Sequence, residues 1–472
     1  MWQWKHLILG ALMVAAPAAC GRDDGKNADP ADSDSHSTGD SDTDSDTDTD
    51  GDADGDDGSD GDSDGPFTDP ADTGSVSDGD ADTERDSQSD PVSDTALSWD
   101  TEGPVDTDGP PVTVSAGLFD QGDTDDLGLS VVPGAQTVTV FAPSDDTNHF
   151  SNGVVMVGFN GRLYCQWQSS DTNEDSADTR VVYSRSDDGV NWSSPMSLGT
   201  CPSGGYCSSG GWWVAGDTLM AYINYWPQDL SPRGGETRFT TSADGLTWTP
   251  LQSLPMAGGG GLQGIFEQDP HLLPGGRIIG AAHFQPGLIA SPILTDDPTG
   301  QSGWTRASFA NLSHAGDVSR EIEPSSFRRR DGGLVMVFRD QEGSYAKLAS
   351  LSADRGLSWT TPVLTDMPDA RTKQCAGNLP DGTAYLVGNP RNTNIRTPLV
   401  ITLSDDGKNF DRAFVLRRGS DLQQRRYDGT AKTVGYNYPK ATLWDGSLYV
   451  SYATNKEDVE FTRIPVSDLI TP

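Results

Sequence analysis

Four short segments of this chain repeat one pattern: SRSDDGVNW at 184–192, TTSADGLTW at 240–248, SLSADRGLSW at 350–359 and TLSDDGKNF at 402–410. Their leading serines, Ser186, Ser242, Ser352 and Ser404, lie 56, 110 and 52 residues apart. A fixed period of this size confines a chain to architectures made by stacking one supersecondary unit. The doubled gap predicts a degenerate copy near residue 297, where TDDPTGQSGW (295–304) stands.

A second period runs through the same region. Six times an apolar run meets a glycine turn and another apolar run, and the turn glycines are Gly161, Gly216, Gly276, Gly332, Gly382 and Gly446. Asn-Gly, Asp-Gly and Gly-Gly between β-rich runs are hairpin signals, because such turns need positive φ. Six hairpins, most followed by a second turn bearing the Ser-x-Asp box, predict an all-β, six-bladed propeller over residues 113–472. The last unit lacks a box, so its outer strand is expected from the upstream segment around QTVTVFAP (136–143), which would close the ring. In each box Ser and Asp can hydrogen-bond turn amides and the aromatic residue can pack between layers, so Asp188, Asp244, Asp354 and Asp406 read as structural.

The residues before the repeats are of another kind. MWQWKHLILGALMVAAPAAC (1–20) has the layout of a lipoprotein export signal, with Cys20 as the residue to be lipidated. From 21 to 112 the chain is Asp, Ser, Thr, Gly and Pro with almost no aliphatic residue, a composition expected to stay disordered as a linker. That stretch holds −28 of the net charge of −39, so the acidity describes the linker more than the folded part. The aspartates at 46–57 lack the closing Glu of a calcium loop and read as a solvated run, and no Cys/His spacing suggests a metal or other cofactor. Cys201 and Cys207 are expected to pair in an oxidising compartment, with Cys165 and Cys375 as a second candidate pair. The expected setting is the bacterial cell envelope, lipid-anchored at the outer membrane or cell surface, or secretion. Membrane contact is through the anchor alone, the protein is monomeric, and nucleic acid is no partner for so acidic a chain.

In a propeller the inner strands all start on one face. Counting back eight or nine residues from each turn glycine places Asn152, Ser208 or Cys207, Gln268 with Asp269, Glu323, Lys373 and Tyr438 around a central mouth. The ends of the second strands bring Trp167 with Asp171, Tyr225, His283, Arg339, Asn389 with Arg391, and Asn455 with Lys456 to the same face.

With four boxes and a degenerate fifth at blade spacing, the chain resembles the sialidase-like superfamily of Asp-box (BNR repeat) propellers. The resemblance implies an exo-glycosidase acting on terminal acidic sugars of a glycan or polysaccharide. It makes Tyr438, in YNYP, the nucleophile, Glu323, in EIEPSSF, its activating base, and Asp171 or Asp175 the acid/base. Arg339, in LVMVFRD, and Arg396, in RTPLVITLS, match two arginines that grip the substrate carboxylate. Asn152 stands where the family's first arginine is expected, and Lys373 or His149 could substitute for it. Lys373, Asn152 and Asp269 complete the expected binding ring. Two alternatives stay open: a glycan-binding propeller without catalysis, and a polysaccharide lyase using His149, His283 and Tyr225 on a uronate.

Overall fold

The computed structural model describes residues 104–470. The export signal, Cys20 and the linker as far as residue 103 lie outside these residues.

Six antiparallel sheets succeed one another along the chain. Their inner strands are Phe150–Phe159, Gly205–Ala215, Gly264–Phe266, Glu321–Arg328, Cys375–Asn378 and Tyr436–Trp444. Each packs against the next, and the sixth packs against the first, so the ring is closed. The first blade runs from axis to rim as Phe150–Phe159, Arg162–Ser170, Arg180–Ser186 and Met196–Ser197, and the others repeat that order. Closure is by the upstream segment: Gln136–Phe141 pairs antiparallel with Asp458–Pro465 as the outer strand of blade 6. This is the strand the missing sixth box called for.

The core is not one mass: six apolar clusters are each wedged between neighbouring blades, and a small seventh, of Leu127, Val400 and Val415, lies where the upstream segment packs on blade 5. The box aromatics help to fill these wedges. Trp192 packs on Phe461 of blade 6, Trp248 on Tyr183 of blade 1, Trp304 on Tyr222 of blade 2 and Phe410 on Phe327 of blade 4. Every box thus fastens its blade to the preceding one, which is why the box recurs at the blade period. Trp304 is fully buried, and burial of that order is worth about 2–3 kcal/mol per large side chain.

Box geometry follows one plan, with Arg355 inserted in the blade 4 copy so that Ser352 and Asp354 accept from Gly356 and Ser358, one position further on. Asp244 Oδ1 accepts the Leu246 and Thr247 amides at 2.8 and 2.7 Å, while Ser242 Oγ accepts the Gly245 amide at 2.8 Å. The degenerate copy keeps the plan with Thr295 in place of serine. Asp297 N donates to Thr295 Oγ1 at 3.0 Å, and Thr299 N donates to Asp297 Oδ1 at 2.9 Å.

Packing onto the propeller begins upstream of the boundary expected at 113. Val112 is fully buried between blades 4 and 5, and Asp106 pairs with Lys408 at the box face. Cys201 and Cys207 form the expected disulfide, with Cα atoms 5.8 Å apart. The other candidate pair does not form: Cys165 is buried between blades 6 and 1 and Cys375 between blades 5 and 6, both as free thiols.

Candidate functional site

Inner strands of blades 1, 2, 4 and 6 share an irregularity near the mouth. Register slips between Asn152 and Val155, Ser209 and Trp212, Ile322 and Ser325, and Asn437 and Lys440, so two residues face one on the second strand. Bulges of this kind bend a strand and re-aim its side chains. Blades 1 and 2 put Gly153 and Gly211 at positive φ there, and a Cβ on either would lie 2.6 or 2.5 Å from Gln268. Blades 4 and 6 put Glu323 (φ 55°) and Tyr438 (φ 53°) in the same kind of bulge. Left-handed backbone costs a non-glycine residue about 1–2 kcal/mol, and such strain gathers at functional sites. Each is followed by a proline, Pro324 or Pro439, whose missing N–H suits a position outside the sheet ladder. The two residues expected to carry the chemistry therefore occupy equivalent, strained positions on different blades.

Cations converge on Tyr438. Arg396 Cζ lies 5.2 Å and Lys456 Nζ 5.1 Å from its ring centre. Arg339 Nη1 meets Glu323 Oε2 at 3.3 Å, and its half-buried guanidinium is held charged against the cost of desolvation by Glu323, Tyr438 and Asp369. Arg396 donates to Asn437 Oδ1 at 2.6 Å and has no carboxylate partner among the described residues. Lys456 is aimed by a tight hairpin in which both Asn455 (φ 57°) and Lys456 (φ 56°) are left-handed, the signature of a type I′ turn.

The acidic loop after blade 1's second strand reaches over this cluster. Glu174 accepts from Lys456 Nζ at 2.9 Å and from Asn152 Nδ2 at 2.9 Å. Asp175, itself at φ 64°, accepts from the Tyr206 hydroxyl at 2.8 Å and pairs with Arg233 at 2.7 Å. Burial, with the Glu174 charge beside it, raises the Asp175 carboxyl above the usual aspartate range despite Arg233. Burial also opposes the Glu174 charge, but Lys456 outweighs it and holds that carboxyl low. Neighbouring acids are thereby pushed apart, one towards a proton donor and one towards a fixed anion. Asp171 does not share this environment: it is exposed, and its side chain accepts only the Thr172 hydroxyl.

Other expected residues are at the mouth but committed elsewhere. Lys373 is buried against Glu267 at 2.6 Å and Gln268 at 2.8 Å. His149 stacks on Tyr427 at 3.9 Å. Asp269 pairs with Lys440 at 3.0 Å and accepts from Ser325. Asn152 serves Glu174. His283 is fixed between Glu267, 3.1 Å from Nδ1, and the Glu323 amide, which donates to Nε2 at 3.1 Å. Tyr225 donates to the Ser203 carbonyl at 3.0 Å. Trp167 and Cys207 belong to the inter-blade core, and Arg391 reaches the Asp123 carbonyl at 2.9 Å.

Glu174 and Arg233 escaped the sequence reading, because they sit on loops outside the strand register. Lys456 was placed at the mouth by register, though nothing in the sequence distinguished it there. A further signal was present: Glu-Pro and Tyr-Pro stand nine and eight residues before Gly332 and Gly446.

The family model described as BNR repeat-like domain matches residues 161–450. Among solved structures, a sialidase aligns with a TM-score of 0.54 at 19% identity, covering 75% of this chain and 35% of its own. A Hadza microbial sialidase gives 0.56 at 15% identity over 70% of this chain and 69% of its own. The intramolecular trans-sialidase from Ruminococcus gnavus gives 0.53 at 12% identity over 71% and 99%. The chain spans about a third of the length of the first of these. No curated protein matches the sequence. At such identities the likeness to these structures is one of fold.

Proposed function

Because the chain belongs to the BNR repeat-like domain family, we propose that its propeller is an exo-acting glycoside hydrolase of sialidase type, taking a terminal sugar that carries one carboxylate. One observation carries the reading: Tyr438 and Glu323 occupy matching strained bulges, and Tyr438 lies between Arg396 and Lys456. The charge arrangement supports a single anionic group. Arg233, Arg339, Lys373, Lys440 and Lys456 each face a carboxylate, whereas Arg396 faces none. A planar guanidinium in a partly dehydrated mouth is a strong, directional partner for a carboxylate.

In the proposed reaction Asp175, whose carboxyl burial raises, gives a proton to the leaving glycosidic oxygen. The Tyr438 oxygen bonds the anomeric carbon as that bond breaks, and its phenolic proton passes to Glu323. Proton uptake by Glu323 removes the charge that holds Arg339, freeing that guanidinium for the substrate. Water then attacks the glycosyl-tyrosine carbon, giving its proton to Asp175, and the phenol recovers its own from Glu323. The export signal ending at Cys20, with the acidic stretch after it, supports display on the bacterial envelope by a lipid anchor.

The test is to incubate the full chain with a panel of sialosides and uronate-terminated oligosaccharides and to assay released sugar. Turnover that disappears in Tyr438→Phe is the expected result. Binding without release would make the propeller a glycan-binding protein, and retained hydrolysis in Tyr438→Phe would remove the nucleophile assigned here.

A further inference from the structure

Lys456 is an unusual residue for the place it holds. It is 2% exposed, sits at a backbone angle few lysines adopt, and its ammonium lies between two aromatic rings, 5.1 Å from Tyr438 and 5.6 Å from Phe150. A lysine buried at such cost in side-chain and backbone freedom is there for a partner. The partner it has is Glu174, brought in from another blade on a loop, at 2.9 Å. Glu174 is also held by Asn152 Nδ2 at 2.9 Å. One carboxylate thus meets an ammonium and an amide N–H beside the Tyr438 ring. A bound carboxylated sugar would present the same group to the same donors.

The loop bearing Glu174 is tied down from outside the mouth. Thr430 N donates to Asn173 Oδ1 at 2.5 Å, and Glu174 N donates to the Thr430 carbonyl at 3.4 Å. Thr430 belongs to the long connection between blades 5 and 6, itself pinned by Glu457, which accepts from the Arg426 and Tyr427 amides at 3.0 and 2.8 Å. Thus the backbone of the acidic loop is fixed while the Glu174 side chain reaches in. Arg233 lies close enough to add to the charge stabilisation of Glu174.

Resting on the glycosidase reading, we propose that Lys456 is the third cation of the carboxylate subsite, in place of the arginine that Asn152 replaces, and that Glu174 occupies this subsite as an internal stand-in which the substrate carboxylate displaces. A ligand must then break one ion pair to form another, so the resting mouth discriminates against weak anions. The pair makes Lys456 specificity-determining rather than catalytic.

The experiment measures binding of N-acetylneuraminate, glucuronate and galacturonate to the full chain by calorimetry, for wild type, Glu174→Gln, Lys456→Arg and Lys456→Gln, with thermal melting to confirm folding. Expected is binding about tenfold tighter in Glu174→Gln, at least tenfold weaker in Lys456→Gln, and largely restored in Lys456→Arg. A purely structural ion pair predicts the reverse for Glu174→Gln, with unchanged or weaker binding. If wild type binds a probe and a folded Glu174→Gln does so no better, the displacement is wrong and the hydrolase reading stands. If Glu174→Gln misfolds, Glu174→Asp decides, because its shorter reach must also tighten binding. If no probe binds wild type or any folded variant, the carboxylated-sugar reading falls, and this inference with it.

Discussion

The two faces of the propeller use acidic side chains in opposite ways. At the box face Asp188, Asp244, Asp354 and Asp406 each accept backbone amides of their own turn, at distances that agree within 0.2 Å from blade to blade. At the mouth no two carboxylates have the same partners. Glu174 meets Lys456, Asp175 meets Arg233 and Tyr206, Glu267 meets Lys373 and His283, and Glu323 meets Arg339. Repetition marks what every blade needs in order to stack, and departure from repetition sets the mouth apart from the box face. Left-handed non-glycine backbone occurs on both faces, in tight turns at Asn160, Arg355 and Asp445 on the box side and at Asp175, Glu323, Tyr438 and Lys456 at the mouth, where two of the four sit in strand bulges.

The largest break of that contrast is expected from Tyr438→Phe. Removing the proposed nucleophile should lower turnover by about 10³-fold or more while the melting temperature holds, because the ring and its packing remain. Steady-state rates beside a thermal melt check it. Next is Arg396→Ala, which takes away the guanidinium with no carboxylate of its own. Losing a charge-assisted hydrogen bond of about 1.5–3 kcal/mol should weaken substrate binding about 10- to 100-fold, read as a rise in KM.

Acid and base sharpen the comparison with opposite signs. Asp175 has a raised carboxyl, so the protonated form that the proposed reaction uses is lost as pH rises through its folded value. Turnover should fall on that limb, and Asp175→Asn should abolish the limb together with most of the rate. At the box face, burial opposes the Asp354 and Asp406 charges, but hydrogen bonds from Ser358 and from the Asn409 and Lys408 amides hold both below the ordinary aspartate value of 3.8. The unfolded chain therefore binds protons first. The stability these groups lend is complete above pH 3.8 and is lost as pH falls through their folded values, which acid-unfolding curves will show. The smallest effect is expected from Ser242→Ala, which deletes the acceptor for the Gly245 amide and costs about 1 kcal/mol with kcat unchanged.

Much of the fold was legible because its determinants are local. A box needs only its own nine or ten residues, so Thr295 could replace serine at 295 and the copy remained readable by position. The missing sixth box even located the closing strand at Gln136–Phe141. The mouth was legible as far as strand register extends: Glu323, Arg339, Tyr438 and Lys456 converge because each sits at a fixed distance from a turn glycine. Register could not reach the loops, so Glu174 and Arg233 were missed and exposed Asp171 stood level with half-buried Asp175. Nor could it tell that Lys373 and Asp269 are satisfied by partners 2.6 and 3.0 Å away, or that Cys165 and Cys375 lie in different inter-blade wedges.

By itself the sequence determined how many blades there are, where each turns, and which segment completes the sixth, since hydrogen bonds inside a turn and alternation along a strand depend on neighbours in the chain. Only the tertiary structure decided which charges remain unspent. That is a property of distances between residues hundreds apart, as with Lys456 and Glu174, and whether a cation can hold a ligand depends on what already stands within 3 Å of it.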